Sequence, residues 1–104
     1  MALVNESPKV QTPQESLAYS LTTTPWCSSP TGVTLIVWDV TDENNPVDVT
    51  SSTTAGSNGT LGDAITTKRI QSLTLGKNYR VDILFSDASS NTYEAALKIL
   101  CREP

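Results

Sequence analysis

The fold is decided by the stretch Leu73-Thr74-Leu75-Gly76-Lys77-Asn78-Tyr79-Arg80-Val81-Asp82-Ile83-Leu84-Phe85, which leads from a turn into an alternating segment. In the alternating segment, Tyr79, Val81, Ile83 and Phe85 fall on one face, and Arg80 and Asp82 fall on the other. A period of two is typical of a β-strand with one face on a core and one face toward solvent. The stretch therefore predicts a half-buried strand that begins directly after a turn.

The turn before this strand carries a second signal. Leu73 precedes Tyr79 by six positions, and Gly76 lies between them. This spacing resembles the tyrosine corner of immunoglobulin-like and fibronectin type III domains, in which a tyrosine near the start of the sixth strand bonds back to the preceding crossover. The resemblance implies that Leu73, Gly76 and Tyr79 form a structural corner, with Leu73 filling the core.

The rest of the chain is consistent with one all-β domain that spans residues 1–104. The length suits a domain with its own core, and turn residues recur at the intervals expected of a β-sandwich. We predict an immunoglobulin-like, seven-stranded Greek-key sandwich. Its predicted strands are residues 9–12, 16–22, 33–40, 47–50, 64–70, 78–85 and 92–101. The serine- and threonine-rich residues 50–60 are predicted to form a long mobile loop.

The last segment leaves two interpretations open. Residues 93–100 contain good helix formers, so a short helix is possible there. We prefer a strand, because the polar turn at residues 87–91 is typical of a hairpin and the alternation continues to Cys101.

The net charge and the composition of the first residues argue against nucleic-acid and membrane partners and against a signal peptide. The chain has a net charge of −4 and one adjacent basic pair, Lys68 and Arg69, so neither nucleic acid nor an anionic membrane is an expected partner. Residues 1–8 lack the basic and apolar regions of a signal peptide, which predicts synthesis in a cytoplasm. No segment has the run of apolar residues that a membrane helix needs.

The sequence offers little for catalysis. It contains no histidine, which excludes Ser-His-Asp and Cys-His machinery and histidine-ligated metal sites. Asp39 and Asp82 could lie close together on neighbouring strands, but two exposed aspartates are the preferred interpretation. The acidic residues 42–45 are interpreted as a turn and not as a calcium site. We therefore expect no enzyme activity, no catalytic residue, no metal and no cofactor.

The cysteines and tryptophans are the remaining residues of interest. Cys27 and Cys101 allow one disulfide, and reduced thiols are preferred because a signal peptide is missing. Trp38 is a candidate binding residue, but packing in the core is the preferred interpretation. Trp26, in a loop after Pro25, either caps one end of the domain or stands exposed as an interface anchor.

The chain as a whole also resembles the small immunoglobulin-like proteins of tailed-phage and prophage structural modules. The resembling features are Tyr19, the Trp26 loop, Asp48-Val49-Thr50, Ile65-Thr66-Thr67, the corner, Tyr79-Arg80-Val81 and Cys101-Arg102-Glu103. The resemblance implies a non-catalytic virion accessory protein, such as a capsid decoration, head-tail or tail subunit, which is made in the cytoplasm and incorporated in a particle. Its expected partners are other subunits of the assembly, including further copies of itself. The alternative is a stand-alone bacterial domain that binds protein or carbohydrate.

Overall fold

The computed structural model describes residues 3–5, 9–23 and 29–103 of the chain. In these residues the chain is mostly β-strand, with one short helix, α1 (Thr50–Thr53). The strands are β1 (Leu3–Asn5), β2 (Lys9–Gln11), β3 (Ser20–Thr22), β4 (Thr31–Asp39), β5 (Val47–Asp48), β6 (Thr54–Ala55), β7 (Gly59–Leu61), β8 (Ala64–Thr66), β9 (Arg69–Ile70), β10 (Asn78–Ser86) and β11 (Thr92–Cys101). The predicted all-β class is confirmed.

A large mixed sheet is built around the two longest strands. β10 and β11 form an antiparallel hairpin, and β4 pairs antiparallel with the other edge of β10. β5 extends the sheet beyond β4. β1 and β2 both pair parallel with β11, the first opposite residues 94–96 and the second opposite residues 99–101.

Two small antiparallel sheets complete the structure. β3, β8 and β7 form a three-stranded sheet in that order, and β6 pairs with β9. The core is one cluster that joins inward side chains of the large sheet to those of β3, β8 and β9. It contains Leu21, Leu35, Val37, Ile65, Ile70, Leu73, Tyr79, Val81, Ile83, Phe85, Ala95, Leu97, Ile99 and Cys101. The strand predicted from the alternation of residues 79–85 is therefore present, with its apolar face on the core.

One buried polar side chain connects the large sheet to the strands that face it. Gln11 on β2 is completely buried, and its Nε2 donates to the Ile70 carbonyl at 2.7 Å and to the Glu15 carbonyl at 3.1 Å. Its Oε1 accepts the Tyr19 hydroxyl at 2.7 Å. A buried amide is stable only when its hydrogen bonds are made, and here they fix β2 against β9.

Three predicted strands, at residues 16–22, 47–50 and 64–70, are wrong in their extent. Residues 64–70 are not one strand, because β8 and β9 belong to different sheets. Side chains replace ladder partners between them: Thr67 Oγ1 accepts the Tyr19 N–H, and Asn58 Oδ1 accepts the Lys68 N–H, both at 2.9 Å. The predicted strand 16–22 is shortened to β3, with an isolated bridge from Leu17 to Ile70.

The predicted mobile loop at residues 50–60 is also wrong, since it holds α1, β6 and the start of β7. The predicted strand 47–50 ends at Asp48, whose Oδ1 accepts the N–H of Thr50 at 3.0 Å and its hydroxyl at 2.6 Å. The Thr53 hydroxyl then donates to the Val49 carbonyl at 2.8 Å. Threonine side chains thus supply local hydrogen bonds that order this segment.

The two interpretations of the last segment are resolved in favour of the strand, because residues 92–101 form β11. Cys101 at its end is buried and its thiol is free. Burial raises the pKa of that thiol. Cys27 and Trp26 lie outside the described residues, so the choice between capping and interface roles for Trp26 stays a prediction.

Candidate binding face

The large sheet has a second face that points away from the core, which we call the outer face. It follows from the alternation of buried and partly exposed residues along β4, β10 and β11. The outer residues form rows across the three strands: Thr34, Leu84 and Glu94; Ile36, Asp82 and Ala96; Trp38, Arg80 and Lys98; Val40, Asn78 and Leu100. Half of them are apolar, and each of these apolar residues is partly exposed.

Trp38 lies near the middle of this face. The indole Nε1–H donates to Asp82 Oδ2 at 3.0 Å, and the Arg80 guanidinium carbon lies 6.0 Å from the centre of the Trp38 ring. Arg80 also donates to both carboxylate oxygens of Asp82, at 3.0 and 3.2 Å. The three side chains hold each other in place, so the face presents a fixed aromatic and guanidinium surface.

The prediction that Trp38 packs in the core is therefore wrong. Leu35 and Val37 are the inward residues of β4, whereas Trp38 is only partly buried. The physical reason is the polar indole N–H, which finds a carboxylate acceptor on the outer face.

The outer face has a depression of about 430 Å³ next to Arg80. Its lining includes Glu43, Pro46, Asn78, Arg80, Lys98 and Leu100. Arg80 and Lys98 lie directly opposite each other on β10 and β11, and like charges in that position are unfavourable in the free protein. The Asp82 carboxylate, which is bonded to Arg80, offsets this repulsion, and Glu43 is an acidic group in the lining of the depression.

Asp39 and Asp82 do not form a pair. Asp82 lies opposite Ile36, three positions from Asp39, and the alternation of β4 directs the two carboxylates to opposite faces. Asp39 instead contacts Lys77 Nζ at 3.0 Å. Partial burial raises the pKa of Asp39, but hydrogen bonds from Thr41 and the Lys77 ammonium outweigh it, and the net pKa lies below the ordinary value.

The three corner residues come together at the start of β10. Leu73 and Tyr79 are buried in the core cluster, and Gly76 has a φ of +88°, which favours glycine. The Tyr79 hydroxyl accepts the Thr74 N–H at 2.9 Å. The tyrosine thus fastens the preceding crossover to β10.

Replacing Tyr79 with phenylalanine is expected to lower the free energy of unfolding by about 1 kcal/mol or more, because the Thr74 N–H loses its acceptor. Urea denaturation measures the loss. Tyr93→Phe is the matched control, since the Tyr93 hydroxyl bonds to Asp87 at the end of the hairpin, and it should lose less. Equal stability of Tyr79→Phe and wild type would show that the hydrogen bond of the corner does not stabilise the fold.

Neither the acidic turn nor any other cluster resembles a metal site in the described part of the chain. The Asp42 carboxylate accepts the Asn44 N–H at 3.1 Å, and the Asp42 carbonyl accepts the Asn45 N–H at 3.0 Å, as in a turn that stabilises itself. Among the described residues, no three acidic or cysteine side chains are grouped to hold an ion. The same residues include no helix of the length and apolarity needed to span a bilayer.

Sequence reasoning missed the outer face as a site. Arg80 and Asp82 were assigned correctly to the solvent side of their strand, but their contact with Trp38 depends on the pairing of β4 with β10. The available signal was the run 35–38, which is apolar at every position and so predicts contacts on both faces of its strand. No family model matches the chain, and no curated protein or solved structure matches it either.

Proposed function

We propose that this protein is a non-catalytic binding module that docks onto another protein through the outer face of the large sheet. The observation that carries the proposal is the fixed group of Trp38, Arg80 and Asp82 at the centre of a half-apolar face. Tryptophan and arginine dominate the energetic centres of protein interfaces, where apolar neighbours exclude water. Ile36, Leu84 and the other apolar residues of the outer face provide those neighbours.

The fold we propose is immunoglobulin-like, and the strand order supports it. In immunoglobulin-type domains, the strands named C, F and G form one sheet, and B, E and D neighbour each other in the other sheet. The order β4, β10, β11 matches the first set, and the order β3, β8, β7 matches the second. The corner at the start of β10 agrees with this assignment. The departure is the first strand, because β1 and β2 pair with β11 and not with β3.

A protein partner is better supported than a carbohydrate. A sugar ring can in principle stack on an exposed indole face, and Trp38 is partly exposed. Here the Arg80 guanidinium lies over the ring, and Asp82 already accepts the hydrogen bond from the indole N–H. A sugar would have to displace both groups, whereas a protein interface can use the three side chains as they stand.

We further propose that the partner is another subunit of a larger assembly. The resemblance to tailed-phage and prophage modules supports a particle subunit, and the net charge of −4 suits a protein that contacts protein and not packaged nucleic acid. In this proposal the chain is made in the cytoplasm and then incorporated in the particle.

A photocrosslinking experiment tests the proposal. Benzoylphenylalanine is placed at Lys98, which is exposed on the outer face, in the cells that make the protein. We expect one discrete adduct, identified by mass spectrometry as a protein, and about 30-fold weaker binding of that partner when Trp38 is also replaced by alanine, as for loss of an interface residue worth about 2 kcal/mol.

The matched control carries the photocrosslinker at Ser89, in the turn between β10 and β11 and away from Trp38. It should give no such adduct. Circular dichroism and thermal melting check that Trp38→Ala remains folded. Equal adducts from Lys98 and Ser89, or binding that is insensitive to Trp38→Ala, would rule out the outer face as the docking surface.

A further inference from the structure

A second surface, distinct from the outer face, lies along the free edge of β3. β3 pairs with β8 on one side only. The backbone groups of Tyr19 and the N–H of Thr23 point toward β8 and the residues around it. The Tyr19 carbonyl accepts the Thr67 N–H, the Tyr19 N–H donates to Thr67 Oγ1, and the Thr23 N–H donates to the Asp63 carbonyl. In an antiparallel pair the alternate residues point the other way. Ala18, Ser20 and Thr22 therefore direct their backbone groups outward.

These outward groups have no partner among the described residues. Outside the pairing of β3 with β8, no hydrogen bond joins the backbone N–H or carbonyl of Ala18, Ser20 or Thr22 to any described group, and all three residues are exposed. The free edge begins at Ala18, because the preceding carbonyl, of Ser16, accepts Arg69 Nη1 at 3.0 Å. Proteins commonly protect free edges with lysine, proline or a bulge. This edge presents three small uncharged residues instead.

A slot opens beside the edge and reaches the core. It has a volume of about 190 Å³, and its lining includes Lys9, Tyr19, Leu21, Ile83, Ala95 and Leu97. Ala95 is the smallest of the inward residues of β11. Its short side chain leaves room next to Ile83, which lies opposite it on β10. A cavity of about 150 Å³ with aliphatic walls is large enough to bind benzene, so this slot can take one aliphatic side chain.

We propose that the β3 edge and this slot form a strand-addition site for an extended segment of another protein. The backbone of the segment pairs with Ala18, Ser20 and Thr22, and one of its aliphatic side chains enters the slot. The positive charge of Arg69, which lies beside the end of the edge, favours a segment with an acidic residue at its end. A second copy of β3 fits less well, because its inward Leu21 is only 7% exposed and is committed to its own core.

The probe is the peptide acetyl-Asp-Thr-Val-Thr-Val-Thr-Asp-amide, titrated into isotope-labelled protein and followed by NMR. We expect saturable shifts of the Ser20 and Thr22 amides and of the Leu97 and Ile83 methyl groups. Hydrogen exchange at the Ser20 and Thr22 amides should slow at least tenfold, while the Leu21 amide changes little. The same peptide with its central threonine replaced by proline cannot complete the ladder and should bind at least tenfold more weakly.

Two variants locate the site. Ala95→Val narrows the slot and keeps the edge, and Ser20→Pro removes an outward amide while leaving the pairing with β8 in place; each should weaken peptide binding at least tenfold. Trp38→Ala should leave peptide binding unchanged, which separates this site from the outer face. The proposal is overturned by absence of saturable shifts, by shifts confined to the outer face, by methyl shifts without amide protection, or by a dimer that protects the Ser20 amide without peptide.

Discussion

Replacing Gln11 with leucine is expected to lower the free energy of unfolding by about 3 kcal/mol. Leucine fills nearly the same volume, so little of the loss comes from a cavity. The loss arises because the Ile70 carbonyl, which is buried, and the Tyr19 hydroxyl, which is partly buried, are both bonded to Gln11 at 2.7 Å and lose this partner. An unsatisfied buried group costs about 1–3 kcal/mol, and a partly buried one costs less. Urea denaturation followed by tryptophan fluorescence measures the change.

Tyr19→Phe is the partner control, since it removes the hydroxyl that Gln11 accepts. The double variant should lose less than the sum of the two single losses, because both remove the same hydrogen bond. A Gln11→Leu protein within about 0.5 kcal/mol of wild type, the range of ordinary surface substitutions, would contradict a structural role for this amide.

The Tyr19→Phe protein should also differ from wild type in how its stability depends on pH. Burial, and then the Glu15 carboxylate, raises the pKa of Tyr19 to about 12, whereas an unfolded tyrosine has a pKa of about 10. A raised pKa means that the folded state favours the protonated phenol, so this contribution is complete below about pH 10 and is lost as the pH rises toward 12. Wild type should lose stability across that window more steeply than Tyr19→Phe.

The strands that the sequence predicts well are those in which buried and partly exposed residues alternate over many positions. Residues 78–86 and 92–101 alternate over nine and ten positions as β10 and β11. A shift of one residue would expose the whole apolar set, so the pattern alone determines which face is buried. The hairpin and the corner follow from the same segment.

The short elements could not be predicted because their hydrogen bonds come from distant side chains. The break between β8 and β9 depends on Tyr19 donating to Thr67, 48 residues away, and on Asn58 accepting from Lys68. Within α1, the cause is local but weak, since threonine favours strands as readily as turns. Neither effect leaves a periodic pattern of apolar residues in the sequence, so neither could be predicted from it.

The candidate site was hidden for a related reason. Residues 35–38 are apolar on both faces, so the sequence does not say whether Val37 or Trp38 faces the core. The choice is made by Arg80 and Asp82, which meet Trp38 only after β4 has paired with β10; the Trp38–Asp82 hydrogen bond spans 44 residues. The face of the strand on which a tryptophan lies is therefore best predicted after the polar residues on the neighbouring strand have been placed.

Replacing Phe85 with alanine is expected to lower the free energy of unfolding by about 3–5 kcal/mol, the largest effect that we expect of a single substitution. The Phe85 ring is 1% exposed and stacks on Tyr93 directly across the hairpin, with 5.6 Å between ring centres and an interplanar angle of 21°. Alanine removes both the buried ring and the stacked pair. Calorimetry or urea denaturation measures the loss.

Phe85→Leu separates the two contributions, because leucine keeps most of the buried volume and loses only the stacking, so it should lose less than about 1.5 kcal/mol. Tyr93 connects this packing to the hairpin turn through its hydroxyl, which donates to Asp87 Oδ2 at 3.1 Å, while Asp87 Oδ1 accepts the N–H groups of Ser89 and Asn91 at 2.9 Å. Phe85→Ala should therefore also speed amide exchange in the turn, and Phe85→Leu should not. A Phe85→Leu protein as stable as wild type would mean that the ring contributes volume alone and that the stacked pair adds nothing to the hairpin. Equal losses in the two variants would mean that the stacked pair, which both variants lack, accounts for the whole effect.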